Sequence, residues 1–205
     1  KDLLYGMLLV SPHAHAKIVS IDTSAAEKAP GVTALRVIMK PGQEINWAGQ
    51  EIVSLAATSE QAGRDAIRKI RVEYEILPHL VDESDLAKAG ARAKPAGEQI
   101  SGDPEKAFRE AEVVSEGEYH IPVITHCCLE PHGGVVQWDG DKVNYWPSTQ
   151  AVSTVGGDLG RAIGVPGPNV IVEMDYMGGG FGSKFPSDLW GAEAAQLSKA
   201  SGGRP

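Results

Sequence analysis

Four glycines within five positions, residues 178–182, constrain this 205-residue chain more than any other feature. Glycine has no Cβ, so its backbone readily takes positive φ and lets a ligand approach closely. The apolar, β-branched stretch Asn169–Met174 precedes the glycines and predicts a buried strand, and Ser187–Ala200 predicts a helix. A glycine loop between a strand and a helix points several main-chain N–H groups at one spot. That arrangement suits an anionic or oxo ligand.

Two familiar nucleotide-binding motifs do not fit this loop. A Walker-type phosphate loop needs Gly-Lys-Ser/Thr, whereas Lys184 follows a serine and precedes Phe185. The dinucleotide fingerprint needs Gly-x-Gly-x-x-Gly, whereas alternate glycines here are evenly spaced. The loop alone therefore leaves two interpretations open: a cofactor cradle, or a structural turn that places Phe181 in the core.

Charge and cysteine usage exclude several classes of protein. A net charge of −8 argues against a nucleic-acid surface, which needs a basic patch. No apolar run approaches the length of a membrane span. The two cysteines, Cys127 and Cys128, are adjacent, so on a strand they would point to opposite faces and neither pair nor share a metal. Without any Cys-x-x-Cys, we expect no iron–sulfur or zinc site here, and the low cysteine content predicts a reducing, cytoplasmic location.

The hydrophobic pattern predicts strands and helices in an α+β order. The predicted strands, besides the one before the glycines, are Leu3–Val10, Ala16–Ile21, Gly31–Val37, Glu51–Ala57, Arg71–Ile76, Val113–Ile121, Gly133–Trp138 and Val143–Trp146. The other predicted helices are Glu60–Ile70, capped by Thr58 or Ser59, Pro104–Ala111, capped by Asp103, and Val152–Ile163, ended by Gly164 and weakened by Gly156-Gly157.

Four blocks along the chain resemble the molybdenum-binding subunit of the xanthine dehydrogenase/aldehyde oxidase family, the molybdenum hydroxylases. The blocks are Leu9–Ile18, Trp47–Ala57, Thr125–His132 running on to Trp146–Gln150, and the loop Met177–Phe185. The resemblance implies a hammerhead-like α/β domain over residues 1–86 and a linker over 87–112. Residues 113–205 would be the first part of a molybdopterin-binding α+β domain. The chain is then expected to be an N-terminal part of a larger subunit.

The resemblance also assigns roles to individual residues. The side-chain amide of Gln150 would donate a hydrogen bond to the oxo group of the molybdenum. The loop residues that would bind the cofactor are Gly179, Gly180, Phe181 and Gly182. Phe185 stands where purine-oxidising members have a glutamate that grips the heterocycle, which implies a pocket wall that is apolar and unsuited to purines. No residue would ligate the metal directly, and the family's catalytic base, a glutamate, is expected beyond Pro205.

Each of these residues also has a simpler interpretation. Gln150 could cap or solvate the helix that follows it, and Phe185 could be a core residue. Lys184 could offer its charge to a cofactor phosphate or be solvated at a helix start. Glu130 and His132, which together with His126 suggest zinc but lack the helical zincin pattern, are interpreted as buried, hydrogen-bonded supports of the site.

The expected function is hydroxylation of an aldehyde or non-purine aromatic substrate with oxygen derived from water. The implied cofactor is a molybdenum-pyranopterin, either molybdopterin or its cytosine dinucleotide form, and tungsten is not distinguished. Iron–sulfur clusters and FAD would reside on partner subunits, and the remainder of the large subunit would be a further partner. Two alternatives stay open: a non-catalytic assembly or partner-binding fragment, and a family member that reduces an aromatic CoA thioester.

Overall fold

A computed structural model of the chain describes residues 2–80, 86–94, 96–122 and 124–205. The chain forms two compact units, one of residues 1–79 with 126–205 and one of residues 80–125. The strands of the first unit are β1 (Tyr5–Val10), β2 (Ala16–Asp22), β3 (Val32–Val37), β4 (Glu44–Ile45), β5 (Glu51–Ala57), β6 (Arg71–Ile76), β7 (Gly134–Asp139), β8 (Lys142–Pro147) and β9 (Val170–Val172). The helices of the chain are α1 (Ser24–Glu27), α2 (Glu60–Ile67), α3 (Pro104–Glu110), α4 (Val152–Ile163) and α5 (Asp188–Ala200).

Two three-stranded antiparallel sheets occupy the N-terminal part of the first unit. One has the order β1-β5-β3 and the other the order β4-β2-β6. The central strand β5 is buried along almost its whole length, as its run of apolar residues predicts. Helix α2 begins where the Ser59 hydroxyl accepts a hydrogen bond from the N–H of Ala62. The buried core of this part is Ala16, Ile18, Ala26, Ala29, Met39, Ile45, Ile52, Val53, Leu55, Ala57, Ala66 and Ile70.

The third sheet has the order β7-β8-β9, with β7 and β8 antiparallel and β8 and β9 parallel. The predicted hairpin is confirmed, and Gly140 takes a φ of +63° at its turn. Helices α4 and α5 contact the sheet through β9 and β7, respectively. The buried core here is Val136, Val143, Tyr145, Val155, Leu159, Val170 and Ala195.

The glycines of α4 are packing positions. A Cβ at Gly156 would lie 2.9 Å from a methyl carbon of Val172, and a Cβ at Gly160 would lie 2.6 Å from the carbonyl oxygen of Val165. The helix ends at Gly164 in the left-handed conformation, as predicted. Helix α4 therefore contains glycines despite their low helix propensity, because they let it pack closely against β9 and against the segment at Val165 that follows the helix.

Helix α5 connects the third sheet to the first. The buried carboxylate of Glu193 accepts hydrogen bonds from Arg36 Nε on β3, at 3.1 Å, and from the Ser54 hydroxyl on β5. At the helix end, the Ser201 and Thr33 hydroxyls lie 2.9 Å apart. Because these contacts join segments more than 130 residues apart, they fix the β1-β5-β3 sheet to the part that carries the glycine loop.

The second unit contains α3 and 3₁₀ turns over Leu86–Arg92 that Gly90 interrupts. The predicted cap is confirmed, since the Asp103 carboxylate accepts from the N–H of Lys106 at 2.9 Å. The predicted strand Val113–Ile121 is wrong: these residues form no strand and are exposed. Its apolar side chains suit a strand, but no described segment supplies the hydrogen-bonded neighbour that a strand needs.

Other expectations change in detail. Helix α2 ends at Ile67 rather than Ile70, and β9 covers only three of the six residues predicted. Cys127 and Cys128 lie outside any strand, and Cys127 takes a φ of +47°; both thiols are free. The elements α1 and β4 carried no predicted pattern. The predicted end of the first domain runs through residues 81–85, which lie outside the described residues, and the domain boundaries stay a prediction.

Candidate functional site

The Gln150 side chain is anchored through its oxygen. Its Oε1 atom accepts hydrogen bonds from the main-chain N–H groups of Gly182, at 3.0 Å, and Lys184, at 3.3 Å. An amide has one acceptor oxygen and one NH₂ donor group. With the oxygen held by the loop, the NH₂ group is the end of this exposed side chain that remains for a ligand. Helix α4 has no side-chain cap, so Gln150 does not cap it.

Gly180 makes this approach possible. A Cβ at Gly180 would lie 2.4 Å from Gln150 Oε1 and 2.4 Å from the terminal methyl of Met177. Gly178 is similarly constrained, since its Cβ would lie 2.4 Å from the Cβ of Glu130. The two glycines are required because other side chains fill the space a methyl group would need.

The tip of the loop presents main-chain donors. Within the described part of the chain, the N–H groups of Gly179, Gly180 and Phe181 have no acceptor. Gly179, Phe181 and Gly182 take φ values of +98°, +51° and +103°. Loops with left-handed residues and unpaired main-chain N–H groups are a type of backbone that binds anions or oxo groups in proteins. The donors at this tip are therefore all neutral.

A polar hub, formed by Glu130, Ser148, Gly178 and Lys184, anchors the glycine loop. Glu130 Oε2 accepts from the Gly178 N–H at 2.8 Å and from the Ser148 hydroxyl at 2.9 Å. The hydrogen bond from Gly178 is the main cause that lowers the pKa of Glu130, followed by the one from Ser148. The carboxylate is therefore ionised at neutral pH, although 37% of its side chain remains exposed.

Lys184 turns away from the ligand side and completes the hub. Its side chain is 0% exposed, and Nζ donates to the Glu130 carbonyl oxygen at 2.9 Å and lies 3.3 Å from Oε2. This position overturns the expectation of a solvated lysine, and it directs the charge to Glu130 rather than to a cofactor phosphate. A fully buried lysine normally needs such a partner.

His132 supports the same loop from the other side. The Ser183 hydroxyl donates to the Gly180 carbonyl oxygen at 2.8 Å, so His132 Nε2, 3.0 Å from the Ser183 oxygen, is the donor in that contact. The imidazole also packs at a tilt against Trp190. The expectation of hydrogen-bonded supports holds, but the expectation of burial is wrong, because His132 is exposed and Glu130 is half-buried.

The aromatic residues of the loop are open to solvent. Phe181 is 73% exposed and Phe185 52% exposed, so neither plugs the core. A cavity of about 240 Å³ lies between β1 and α5, and neither Phe185 nor Gln150 lines it. The role of Phe185 as a pocket wall stays a prediction.

No metal centre of protein ligands accompanies the loop. Among the described residues, no three His, Cys, Asp or Glu side chains are grouped to hold a metal ion. His15 instead contacts the carbonyl oxygen of Pro78 through Nδ1 at 2.6 Å, and the His13 ring packs edge-on against Tyr74. Over the same residues, no helix is both long and apolar enough to cross a bilayer.

Comparisons with known proteins identify the family of the chain. The family model described as "Molybdopterin cofactor-binding domain" matches residues 88–205, and the model "Aldehyde oxidase and xanthine dehydrogenase, a/b hammerhead domain" matches residues 1–40. The xanthine dehydrogenase/oxidase of Mus musculus is 31% identical over 97% of this chain. The aldehyde oxidoreductase molybdenum-binding subunit PaoC of Escherichia coli K12 is 29% identical over 88%.

Solved structures show the same fold. Quinoline 2-oxidoreductase from Pseudomonas putida 86 superposes with a TM-score of 0.80, at 26% identity over 98% of this chain. The chain spans less than a third of these relatives: 16% of the mouse protein, 27% of the Escherichia coli subunit and 30% of the quinoline enzyme. The predicted family and α+β fold are confirmed: the chain belongs to the xanthine dehydrogenase/aldehyde oxidase family of molybdenum hydroxylases and carries sequence of its molybdopterin-binding domain.

Proposed function

We propose that this chain supplies neutral hydrogen-bond donors to a molybdenum-pyranopterin cofactor in an oxidoreductase that hydroxylates small substrates. The observation that carries the proposal is the anchored Gln150 side chain. Its oxygen is held by the Gly182 and Lys184 N–H groups, so its NH₂ group is left to donate. The N–H groups of Gly179, Gly180 and Phe181, which have no acceptor among the described residues, would add to the same donor set.

The donor set fits the chemistry of the group. A neutral amide donates to an oxo ligand without protonating it, whereas a lysine would bring a charge and a transferable proton. Lys184 is buried against Glu130, so its charge is directed away from the loop tip. When bound, the cofactor of this family would supply two-electron redox chemistry, and the oxygen added to the substrate would derive from water. The residues of this chain bind and orient, and we expect the general base in the remainder of the subunit.

The phenyl side chain of Phe185 favours the proposal that the substrate is an aldehyde or a non-purine aromatic compound. The named relatives do not separate these classes, since they include a xanthine, an aldehyde and a quinoline enzyme. A phenyl ring cannot pair with the polar edge of a purine, and an unpaired buried polar group costs about 1–3 kcal/mol. We therefore expect higher kcat/KM for aldehydes or quinoline-like rings than for hypoxanthine. A tenfold preference for hypoxanthine would overturn this assignment of Phe185.

The central experiment replaces Gln150 in the full-length subunit within its assembled enzyme. Gln150→Glu keeps an oxygen for the two loop N–H groups but removes the NH₂ donor, so the loop should stay in place while turnover falls. Loss of a hydrogen bond to a charged or strongly polar acceptor is worth about 1.5–3 kcal/mol. That free energy corresponds to roughly 10- to 160-fold in kcat.

Molybdenum content and a matched control complete the test. Elemental analysis should find molybdenum nearly unchanged in Gln150→Glu, because the cofactor is held by many other contacts. Gln61→Ala, on the exposed face of α2 where the Gln61 amide donates to Asp65, should behave as wild type. Unchanged turnover in Gln150→Glu with the metal bound would place Gln150 away from the cofactor.

Elemental analysis also separates the enzyme from the non-catalytic alternative. About one molybdenum per full complex supports the enzyme, and an intact fold that never binds molybdenum supports an assembly or partner-binding role. Iron–sulfur clusters and FAD are proposed on partner subunits, and a cytoplasmic location is proposed from cysteine usage. Activity with an aromatic CoA thioester as the electron-accepting substrate would favour the reductive family members instead.

A further inference from the structure

Lys184 contacts the Gln150 segment in three ways. Its N–H donates to Gln150 Oε1 at 3.3 Å, and its carbonyl oxygen accepts from the Gln150 N–H at 2.9 Å. The same carbonyl oxygen accepts from the buried Thr149 hydroxyl at 3.0 Å. The position of the Lys184 backbone therefore sets the position of both ends of Gln150.

The Lys184 side chain fixes that backbone to a different segment. The ammonium is fully buried and bonds Glu130, 54 residues earlier in the chain. Glu130 in turn holds Gly178 at the start of the loop and Ser148 just before Gln150. The Lys184–Glu130 ion pair therefore helps to connect three segments: the turn at Glu130, the Ser148–Gln150 segment and the glycine loop.

Moving the buried Lys184 ammonium away from Glu130 would cost considerable free energy. A buried charge is strongly disfavoured unless it is paired and hydrogen-bonded, and among the described residues Glu130 meets both conditions. Because the side chain is 0% exposed, it does not reach a ligand on the solvent side of the loop.

We propose that Lys184 is a positioning residue, whose buried ion pair with Glu130 fixes the N–H groups that hold Gln150 Oε1 and so aims the Gln150 NH₂ group at the cofactor. This inference rests on the proposed function for its last step, the donation to the cofactor. We call the Lys184–Glu130 ion pair, together with the hydrogen bonds of Glu130 to Gly178 and Ser148, the clamp. The clamp involves only this polypeptide, so it can be tested without measuring turnover.

The first test is hydrogen exchange of the loop in the full-length subunit. Lys184→Met keeps a long apolar side chain but removes the charge, and it should speed amide exchange over residues 176–186 about tenfold or more. Lys142→Met, the same change at an exposed position on β8, should leave this segment unchanged. If exchange in Lys184→Met equals wild type, the clamp is refuted. If Lys184→Met does not fold, Glu130→Gln, which keeps an acceptor for Gly178, should show the same faster exchange.

The second test asks whether Lys184 acts through Gln150. Turnover is measured for Lys184→Met, for Gln150→Ala and for the double variant, each corrected for molybdenum content. If Lys184 only aims Gln150, kcat falls in each single variant while KM is little changed, and the double variant is no slower than Gln150→Ala alone. Multiplied effects in the double variant would show that Lys184 acts independently and would overturn the proposal.

The two tests distinguish failure of the proposed function from failure of the positioning role of Lys184. If Gln150→Ala is fully active while Lys184→Met loosens the loop, the clamp stands and the proposed donor role of Gln150 falls. If Gln150→Ala is impaired and Lys184→Met leaves both exchange and turnover unchanged, the proposed function stands and the positioning role falls.

Discussion

A methyl group at Gly180 is the most direct perturbation of the candidate site. In Gly180→Ala the new Cβ would lie 2.4 Å from Gln150 Oε1 and 2.4 Å from the Met177 terminal methyl, far inside van der Waals contact. The methionine tip can swing away because it ends a flexible side chain. The Gln150 oxygen can move only by leaving the Gly182 and Lys184 N–H groups.

The expected cost follows from those two hydrogen bonds. Each contributes about 0.5–1.5 kcal/mol, so their loss weakens the loop by about 1–3 kcal/mol. Overpacking that the loop relieves by shifting its backbone costs a similar amount, about 1–3 kcal/mol. We expect faster hydrogen exchange over residues 176–186 and a fall in turnover as the Gln150 NH₂ group loses its aim.

Gly6→Ala provides the control for this substitution. Gly6 lies on β1, its φ is not positive, and no heavy atom lies within 4 Å of the position its Cβ would take. The same chemical change there should leave stability within about 0.5 kcal/mol and turnover unchanged. If Gly180→Ala in the full-length enzyme keeps wild-type turnover and wild-type exchange in the loop, then Gln150 Oε1 does not rest where the structure places it, and the argument for an anchored donor fails.

Three further substitutions test the surrounding fold. Glu193→Ala leaves Arg36 and Ser54 without their acceptor, so α5 should lose about 1–3 kcal/mol of protection measured by hydrogen exchange; unchanged exchange would show that the contact does not hold α5. Gly157→Ala should slow exchange in α4, because the nearest described atom outside the local helix backbone, Arg161 Nη1, lies 3.9 Å from the new Cβ and alanine favours a helix by about 0.8–1 kcal/mol; faster exchange would contradict the packing described. Burial raises the pKa of Tyr145 to about 12, so between pH 10 and 12 the unfolded state releases a proton that the folded state retains, and stability falls as pH rises. Tyr145→Phe should remove that part of the alkaline loss in thermal unfolding, and an identical pH profile would refute the assignment.

Local signals predicted much of the fold because their causes are local. The caps at Ser59 and Asp103, the hairpin turn at Gly140 and the left-handed stop at Gly164 each depend on residues within a few positions. The glycines of α4 lowered the expectation of a helix, yet the helix forms over the residues predicted. Their reason is tertiary: Gly156 faces Val172 on β9, which no local pattern reveals.

Non-local contacts account for what the sequence did not predict. The apolar residues within 113–121 are compatible with a strand, but pairing depends on a neighbour that the local sequence does not encode. Lys184 gave no signal of burial either, because a lysine between a serine and a phenylalanine is equally compatible with a solvated helix start. Its partner Glu130 lies 54 residues away. The ion pair is therefore visible only once the fold brings the two segments together.

The polar hub gives a physical reason for the co-occurrence of three of the sequence blocks. The Thr125–His132 block supplies Glu130, the Trp146–Gln150 block supplies Ser148 and the donor Gln150, and the Met177–Phe185 block supplies the loop. The Glu130 carboxylate of the first block accepts hydrogen bonds from Ser148 of the second block and from Gly178 and Lys184 of the third. Ordering a loop of glycines costs more conformational entropy than ordering other residues. Because the donors at its tip are neutral, a charge on the ligand side does not order the loop. The charge of Lys184 is instead buried against Glu130 behind the loop, where we propose that it keeps the donor groups in a fixed orientation.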